Sequence, residues 1–100
     1  MQIISDAGRF SAGFVQHLVV PDLSVGTYSI PAGGVDDQTP HTEDEVYVVT
    51  AGRARIGDRA VGPGDVIYVP AGEDHRFVDV TEDLALLVVF APAYRSRRPS

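Results

Sequence analysis

The chain predicts an all-β fold, a small single-domain jelly-roll barrel, on three observations. Helical periodicity is nearly absent from its 100 residues. Apolar residues come instead in short β-branched or aromatic bursts, at Phe14-Val15, Leu18 to Val20, Val46 to Val49, Val66 to Val69, Phe77-Val78 and Leu84 to Phe90. Turn residues separate these bursts at short intervals, the punctuation of a sandwich or barrel.

Each turn has its own chemistry. Pro21-Asp22 and the run Pro31 to Gly34 end the early strands. Gly57-Asp58, between Ala54–Ile56 and Arg59–Val61, is a two-residue hairpin loop. Pro63-Gly64 suits the central pair of a type II turn, where the second residue needs a positive φ. Pro70 to Gly72 closes the strand that begins near Val66. Three strands, near 46–50, 66–69 and 84–90, are apolar on consecutive residues rather than alternating. That is expected where both faces are covered, as in a barrel packed against a partner subunit. No internal repeat or linker divides the chain. One domain spans 1–100, with 1–12 and 93–100 as flanking segments.

Composition excludes several function classes. There is no cysteine, so disulfides, thiolate metal sites and cysteine nucleophiles are out. Net charge is −6, all eight basic residues are arginines, and three of those fall in the last six residues. Such a surface repels phosphate backbones, and nucleic-acid binding is not expected. No basic start followed by a long apolar stretch marks a signal peptide. The apolar run Leu84 to Ala91 is too short for a membrane-spanning helix. No membrane partner is expected, and the cytoplasm is the expected location. Neither a GxSxG elbow nor a phosphate-cradling glycine loop is present.

The residues able to carry chemistry lie in two stretches, GVDDQTPHTEDEVYVVTAG from Gly34 and GDVIYVPAGEDHRFVD from Gly64. His41, Glu45 and His75 supply two imidazoles and one carboxylate, a set that suits non-haem iron and related divalent metals. In one straight strand at about 3.3 Å per residue, His41 and Glu45 would stand roughly 13 Å apart. They converge only if the chain bends at Thr42 to Asp44, which is polar and turn-compatible. Glu45 then points inward at the head of a buried strand, where a carboxylate is costly unless paired, protonated or metal-bound. The competing reading is a histidine in a solvated acidic loop of Asp36, Asp37, Glu43 and Asp44. His75 shares a face with Phe77 by strand alternation, so it points inward if Phe77 does. Read alone, His75 is a buried histidine satisfied by a carboxylate or a carbonyl rather than a ligand. His17 has no neighbour at ligand spacing and reads as structural. Gln38 and Thr39 are neutral oxygen donors near the site. Tyr47, Tyr68 and Phe77 either line a cavity or pack a core.

These stretches resemble the two motifs of the cupin superfamily. Its first motif runs glycine, five residues, His-x-His, three or four residues, glutamate, six residues, glycine. Here Glu45 stands the required distance before Gly52, and His41 falls at the second histidine. Thr39 departs from the first histidine, and Gly34 is one residue off the turn glycine. The second motif is met by Gly64, Pro70, Gly72 and His75, with Asp79 in place of its final asparagine. The resemblance implies a double-stranded β-helix barrel, a homodimer, and a divalent metal ion drawn from Fe, Mn, Zn, Ni or Cu. It carries the metal ligands over to His41, Glu45 and His75 and leaves the fourth position to Gln38 or water. It further implies a small-molecule ligand or substrate. The function expected is a metal-dependent, dioxygenase-like enzyme or an isomerase; the alternative is a non-catalytic binding or vestigial module.

Overall fold

A computed structural model describes residues 1–5, 7, 8, 10–37 and 40–94. Among these there is no helix. Six strands follow in chain order: β1 (Gly13–Val20), β2 (Leu23–Ile30), β3 (Asp44–Ile56), β4 (Arg59–Val61), β5 (Val66–Val69) and β6 (Phe77–Ala91). They form one sheet in the order β1-β2-β6-β3-β4, with β5 on β3. Every pairing is antiparallel. The sheet does not close on itself; it is a jelly-roll-like double-stranded β-helix with β1 and β4 at its ends.

Two apolar bursts merge into each long strand. β3 joins Val46–Val49 to Ala54–Ile56, and β6 joins Phe77-Val78 to Leu84–Phe90. The two strands pair from Asp44↔Ala91 to Ile56↔Phe77, with register shifts at Val49/Ala51, Ala51/Arg53 and Arg53/Arg55. Irregularities of this kind bend a strand and raise its twist. The bend lets both halves of the ribbon feed one core: Ala54, Val61, Phe77 and Val80 pack with Tyr28, Tyr47, Leu84 and Leu86. Asp79 lies in one such distortion at φ 50°, a left-handed conformation that aspartate and asparagine tolerate better than other side chains. That tolerance explains why an aspartate can stand where the motif has asparagine.

The turns form as their residues dictate. Gly57-Asp58 makes the hairpin, with Ile56 opposite Arg59. Gly64 takes φ 92° at the third position of a turn closed by Asp65 N–H on the Gly62 carbonyl, 3.1 Å. Gly72, at φ 80°, follows Pro70, whose carbonyl accepts Glu73 N–H at 3.1 Å.

In β3 the residues Glu45, Tyr47 and Val49 are buried, while Val46 and Val48 on the other face are only half-buried. Of the apolar pairs in the strands, one member enters the core and the other lies on an outer face that the chain itself does not cover.

At Gly52, φ 84°, β6 lies so near that a Cβ would collide with the Asp83 carbonyl. Gly57, at φ 58°, has open space around it. Gly52→Ala is therefore expected to lower unfolding free energy by about 3 kcal/mol, backbone strain plus a forced strand shift. Gly57→Ala should cost only about 1 kcal/mol, from strain alone. Urea denaturation of the two variants measures the difference.

Candidate functional site

The site lies where the head of β3 meets the loop before β6. Strand alternation turns Glu45 inward, and its neighbours across the sheet are Val69 on β5 and Phe90 on β6. Both are apolar, so Glu45 is 1% exposed and neither carboxylate oxygen has a hydrogen-bond donor. The chain bends at Thr42 and Glu43 before β3 begins, as convergence of His41 and Glu45 requires. Two contacts sew the turn at 70–72 onto this bend. Gly72 N–H donates to the His41 carbonyl at 2.7 Å, and Ala71 N–H donates to Asp44 Oδ1 at 2.9 Å. The sutures carry His75 to Glu45.

His75 meets three partners. Its Nδ1 lies 3.1 Å from the Glu73 carbonyl, an obligate acceptor, so the Nδ1–H sits there. Its Nε2 is 2.9 Å from the Tyr47 hydroxyl and 3.2 Å from Glu45 Oε1. The Glu45 approach is a charge contact without hydrogen-bond alignment, which is why the carboxylate stays unsatisfied. The neighbouring carboxylate raises the His75 pKa above its ordinary value, against burial and with help from the Glu73 carbonyl. Burial instead lowers the pKa of His41, keeping that imidazole neutral. His41 packs edge-on against Phe90 at 4.9 Å and Tyr94 at 5.4 Å. Tyr94 is set by its backbone N–H on the buried Ser24 hydroxyl, 2.9 Å, and stacks on Phe90 at 4.8 Å. Phe14 closes the same aromatic group. Its ring lies over Gly26, where any side chain would overlap it.

The structure thus gathers His41, Glu45 and His75 at one end of the fold. The two imidazole centroids are 6.3 Å apart, wider than the roughly 5 Å expected of two rings sharing an ion at about 2.1 Å from each nitrogen. Among the described residues no three His, Cys, Asp or Glu side chains form a ready metal-holding group. The donor chemistry nevertheless fits a divalent cation. A donor-less buried carboxylate stands beside a neutral imidazole, and the second imidazole has its Nδ1 pinned by a carbonyl, the support that ligand histidines use. Gln38 and Thr39 lie outside the described residues.

Other expectations need revision. The acidic stretch is not a solvated loop: Asp36 and Glu43 are both 2% exposed, and Asp44 holds the Ala71 amide. Only Asp37 among the four is exposed. Asp36 Oδ1 accepts from the Tyr28 hydroxyl and its Oδ2 from the Phe77 amide, each at 2.9 Å. Burial and then this carboxylate push the Tyr28 hydroxyl pKa far above its usual value. Tyr68 lies 60% exposed on the outer face and lines no interior cavity, while Tyr47 is fully buried and reaches the site with its hydroxyl. His17 is structural, its Nε2 2.9 Å from Thr27 Oγ1. The sequence reading places Phe14 and Phe90 in strand bursts and Tyr94 in a flanking segment; their aromatic grouping next to His41 comes only from tertiary contacts. Asp36 could have been found from its position one turn after Pro31, but its partners could not.

Comparison with known families matches residues 26–90 to the model described as Cupin domain. A protein of Streptomyces coelicolor is 47% identical over 83 residues, 79% of each chain. Among solved structures, a double-stranded β-helix protein from Klebsiella pneumoniae is similar with a TM-score of 0.76 at 19% identity, over 92% of this chain and 90% of that one. KdgF from a Halomonas species gives 0.68 at 23% identity, over 79% and 76%. The DMSP lyase DddQ from Ruegeria pomeroyi gives 0.72 at 21% identity, over 99% and 57%. At these identities the structural likeness is one of fold.

Asp36 fastens the loop that leads to His41 onto β2 and β6. Asp36→Ala leaves a buried hydroxyl and a buried amide without acceptors, and is expected to cost about 3 kcal/mol. Asp36→Asn keeps one acceptor oxygen and should cost about half as much. Chemical denaturation followed by tyrosine fluorescence and far-UV circular dichroism checks both values.

Proposed function

The chain belongs to the cupin family, and from that premise we propose that His41, Glu45 and His75 hold a divalent metal ion to which a small organic molecule is presented. One observation carries the reading: Glu45 is buried beside two imidazoles with both oxygens lacking donors. A carboxylate in that position costs several kcal/mol unless a cation compensates it. Two imidazoles and one carboxylate suit iron(II) or manganese(II), with zinc, nickel and copper as alternatives. The ion, when bound, supplies Lewis-acid polarisation of a substrate oxygen.

The chain's own residues set the rest. Glu45 brings the negative charge that a dication needs. Glu73 fixes the His75 ring by taking its Nδ1–H, leaving Nε2 turned toward Glu45. The Tyr47 hydroxyl, 2.9 Å from that nitrogen, is a donor and acceptor next to the centre. Phe90 and Tyr94, backed by Phe14, cover one side of His41 with aromatic surface. The class of reaction that fits is an oxygenase or isomerase step on a small organic molecule. DddQ, similar in fold, is a DMSP lyase, so this scaffold carries small-molecule chemistry elsewhere.

A second reading is a binding module without turnover. The 6.3 Å separation of the imidazoles favours it, because a site that must close around its ion binds more weakly.

Metal titration separates these readings. Wild-type protein stripped by chelation and given manganese(II) or iron(II) should bind one ion per chain. It should gain about 2.7 kcal/mol of stability at a hundredfold excess over Kd, an effect that chelator reverses. Glu45→Gln and His75→Ala should each lose that gain while keeping the β-sheet circular dichroism. A wild type that gains no stability from any of the five metals overturns the proposal. Metal binding without turnover in a substrate screen selects the binding module.

A further inference from the structure

His75 has a hydrogen-bond partner on each ring nitrogen. The Glu73 carbonyl, 3.1 Å from Nδ1, can only accept, so it fixes the ring proton there. In the neutral ring Nε2 then presents a lone pair, and the Tyr47 hydroxyl, 2.9 Å away, donates to it. Glu45 Oε1, at 3.2 Å, brings charge to that nitrogen but no donor. An imidazole nitrogen has a single in-plane lone pair. It can accept a hydrogen bond or bind a cation, and the two exclude each other. The two partners differ in how they are held. Tyr47 sits in mid-strand between Ile67 on β5 and Val88 on β6, is fully buried, and packs edge-on against Phe77 at 5.0 Å. His75 lies in the irregular segment 73–76 before β6. The hydrogen bond therefore ties a loop imidazole to a hydroxyl fixed in the core.

We propose that Tyr47 is a placeholder on the metal-binding nitrogen of His75: its hydroxyl satisfies Nε2 until a cation arrives, and must give that nitrogen up for the cation to bind. The proposal rests on the metal reading above and adds to it the residue that sets how tightly the site binds. A second observation agrees. The imidazole centroids of His41 and His75 stand 6.3 Å apart, wider than two rings on one ion require, so at least one ring must shift. His41 is packed edge-on against Phe90 and Tyr94. His75 is on the loop, and its Nε2 is the atom that Tyr47 tethers. Tyr47 is thus a positioning residue that acts through His75. A buried acceptor without a donor is costly, so the hydroxyl stabilises the fold and opposes metal entry through the same contact. The apparent affinity falls by the fraction of chains in which Nε2 is released. A tyrosine serving as a ligand would have the opposite effect, since its removal weakens binding.

The test compares manganese(II) and zinc(II) affinities of chelator-stripped wild type and Tyr47→Phe by titration calorimetry. Tyr47→Phe keeps the ring against Phe77 and should bind each ion about fivefold tighter, the worth of one net hydrogen bond. Structural damage weakens binding, so tightening separates a placeholder from a merely structural tyrosine. Tyr68→Phe removes an exposed hydroxyl from the outer face and should leave the affinities unchanged. A second measurement needs no variant. Nitrogen NMR of His75 and carbon NMR of the Tyr47 ring are followed while zinc is added to the wild type. Before zinc, Nε2 should resonate as a hydrogen-bonded acceptor; zinc should then shift Nε2 and Tyr47 Cζ together. Equal or weaker binding by Tyr47→Phe, beside a wild type that binds, overturns the placeholder and leaves the metal reading standing. A Tyr47 Cζ resonance that zinc binding leaves in place does the same. Absence of binding by both proteins ends both readings together.

Discussion

Antiparallel pairing of the two long strands, β3 and β6, is the constraint on which the molecule depends. It runs from Asp44↔Ala91 to Ile56↔Phe77, and every other strand attaches to one of these two directly or through β2. Side chains alternate with a period of two along a strand, so this register alone decides which residues enter the core. A slip of one position would turn Tyr47, Val49, Leu84, Leu86 and Val88 to the outside and bring Val46, Val48 and Leu87 in. Both sets are apolar, so hydrophobic pattern by itself discriminates weakly between them. The discrimination comes from Gly52, whose hydrogen is all that fits against the Asp83 carbonyl, and from the left-handed residue Asp79.

The same pairing places a carboxylate where it is least comfortable. Glu45 enters the interior between Phe90 and Val69, and the polar groups around it are the His75 imidazole, with the Tyr47 hydroxyl beyond it, and the His41 imidazole. Local stability would favour an apolar residue at this position. Asp36 and Glu43 show the contrast. Asp36 is just as buried, yet each of its oxygens accepts a hydrogen bond, and Glu43 takes one from the Thr42 hydroxyl at 2.6 Å. Two buried acids have partners and one lacks donors. The exception falls at the end of the fold proposed to hold the metal, where breaking a local rule for chemistry would be expected.

Much of the architecture was legible in the chain. Turn positions followed from glycine and proline stereochemistry, and the all-β class followed from β-branched bursts without helical period. The inward direction of Glu45 and His75 followed from alternation once Val46 to Val49 and Phe77 were taken as strand. Other features were hidden. Merging of two bursts into one bent strand at Gly52 depends on how close β6 approaches. The fate of the acidic stretch depended on donors forty residues away, such as the Phe77 amide. Exposure of Tyr68 depended on which face of β5 turns toward the core.

The sequence by itself determined the class of fold and the turns, and it supplied the candidate set His41, Glu45 and His75, because these rest on local stereochemistry and residue chemistry. Tertiary structure decided what surrounds each donor: apolar neighbours for Glu45, a carbonyl for His75, aromatic edges for His41. It also decided which of two equally apolar faces is covered. Those outcomes are set by strand register, a long-range pairing that no local stretch of chain encodes.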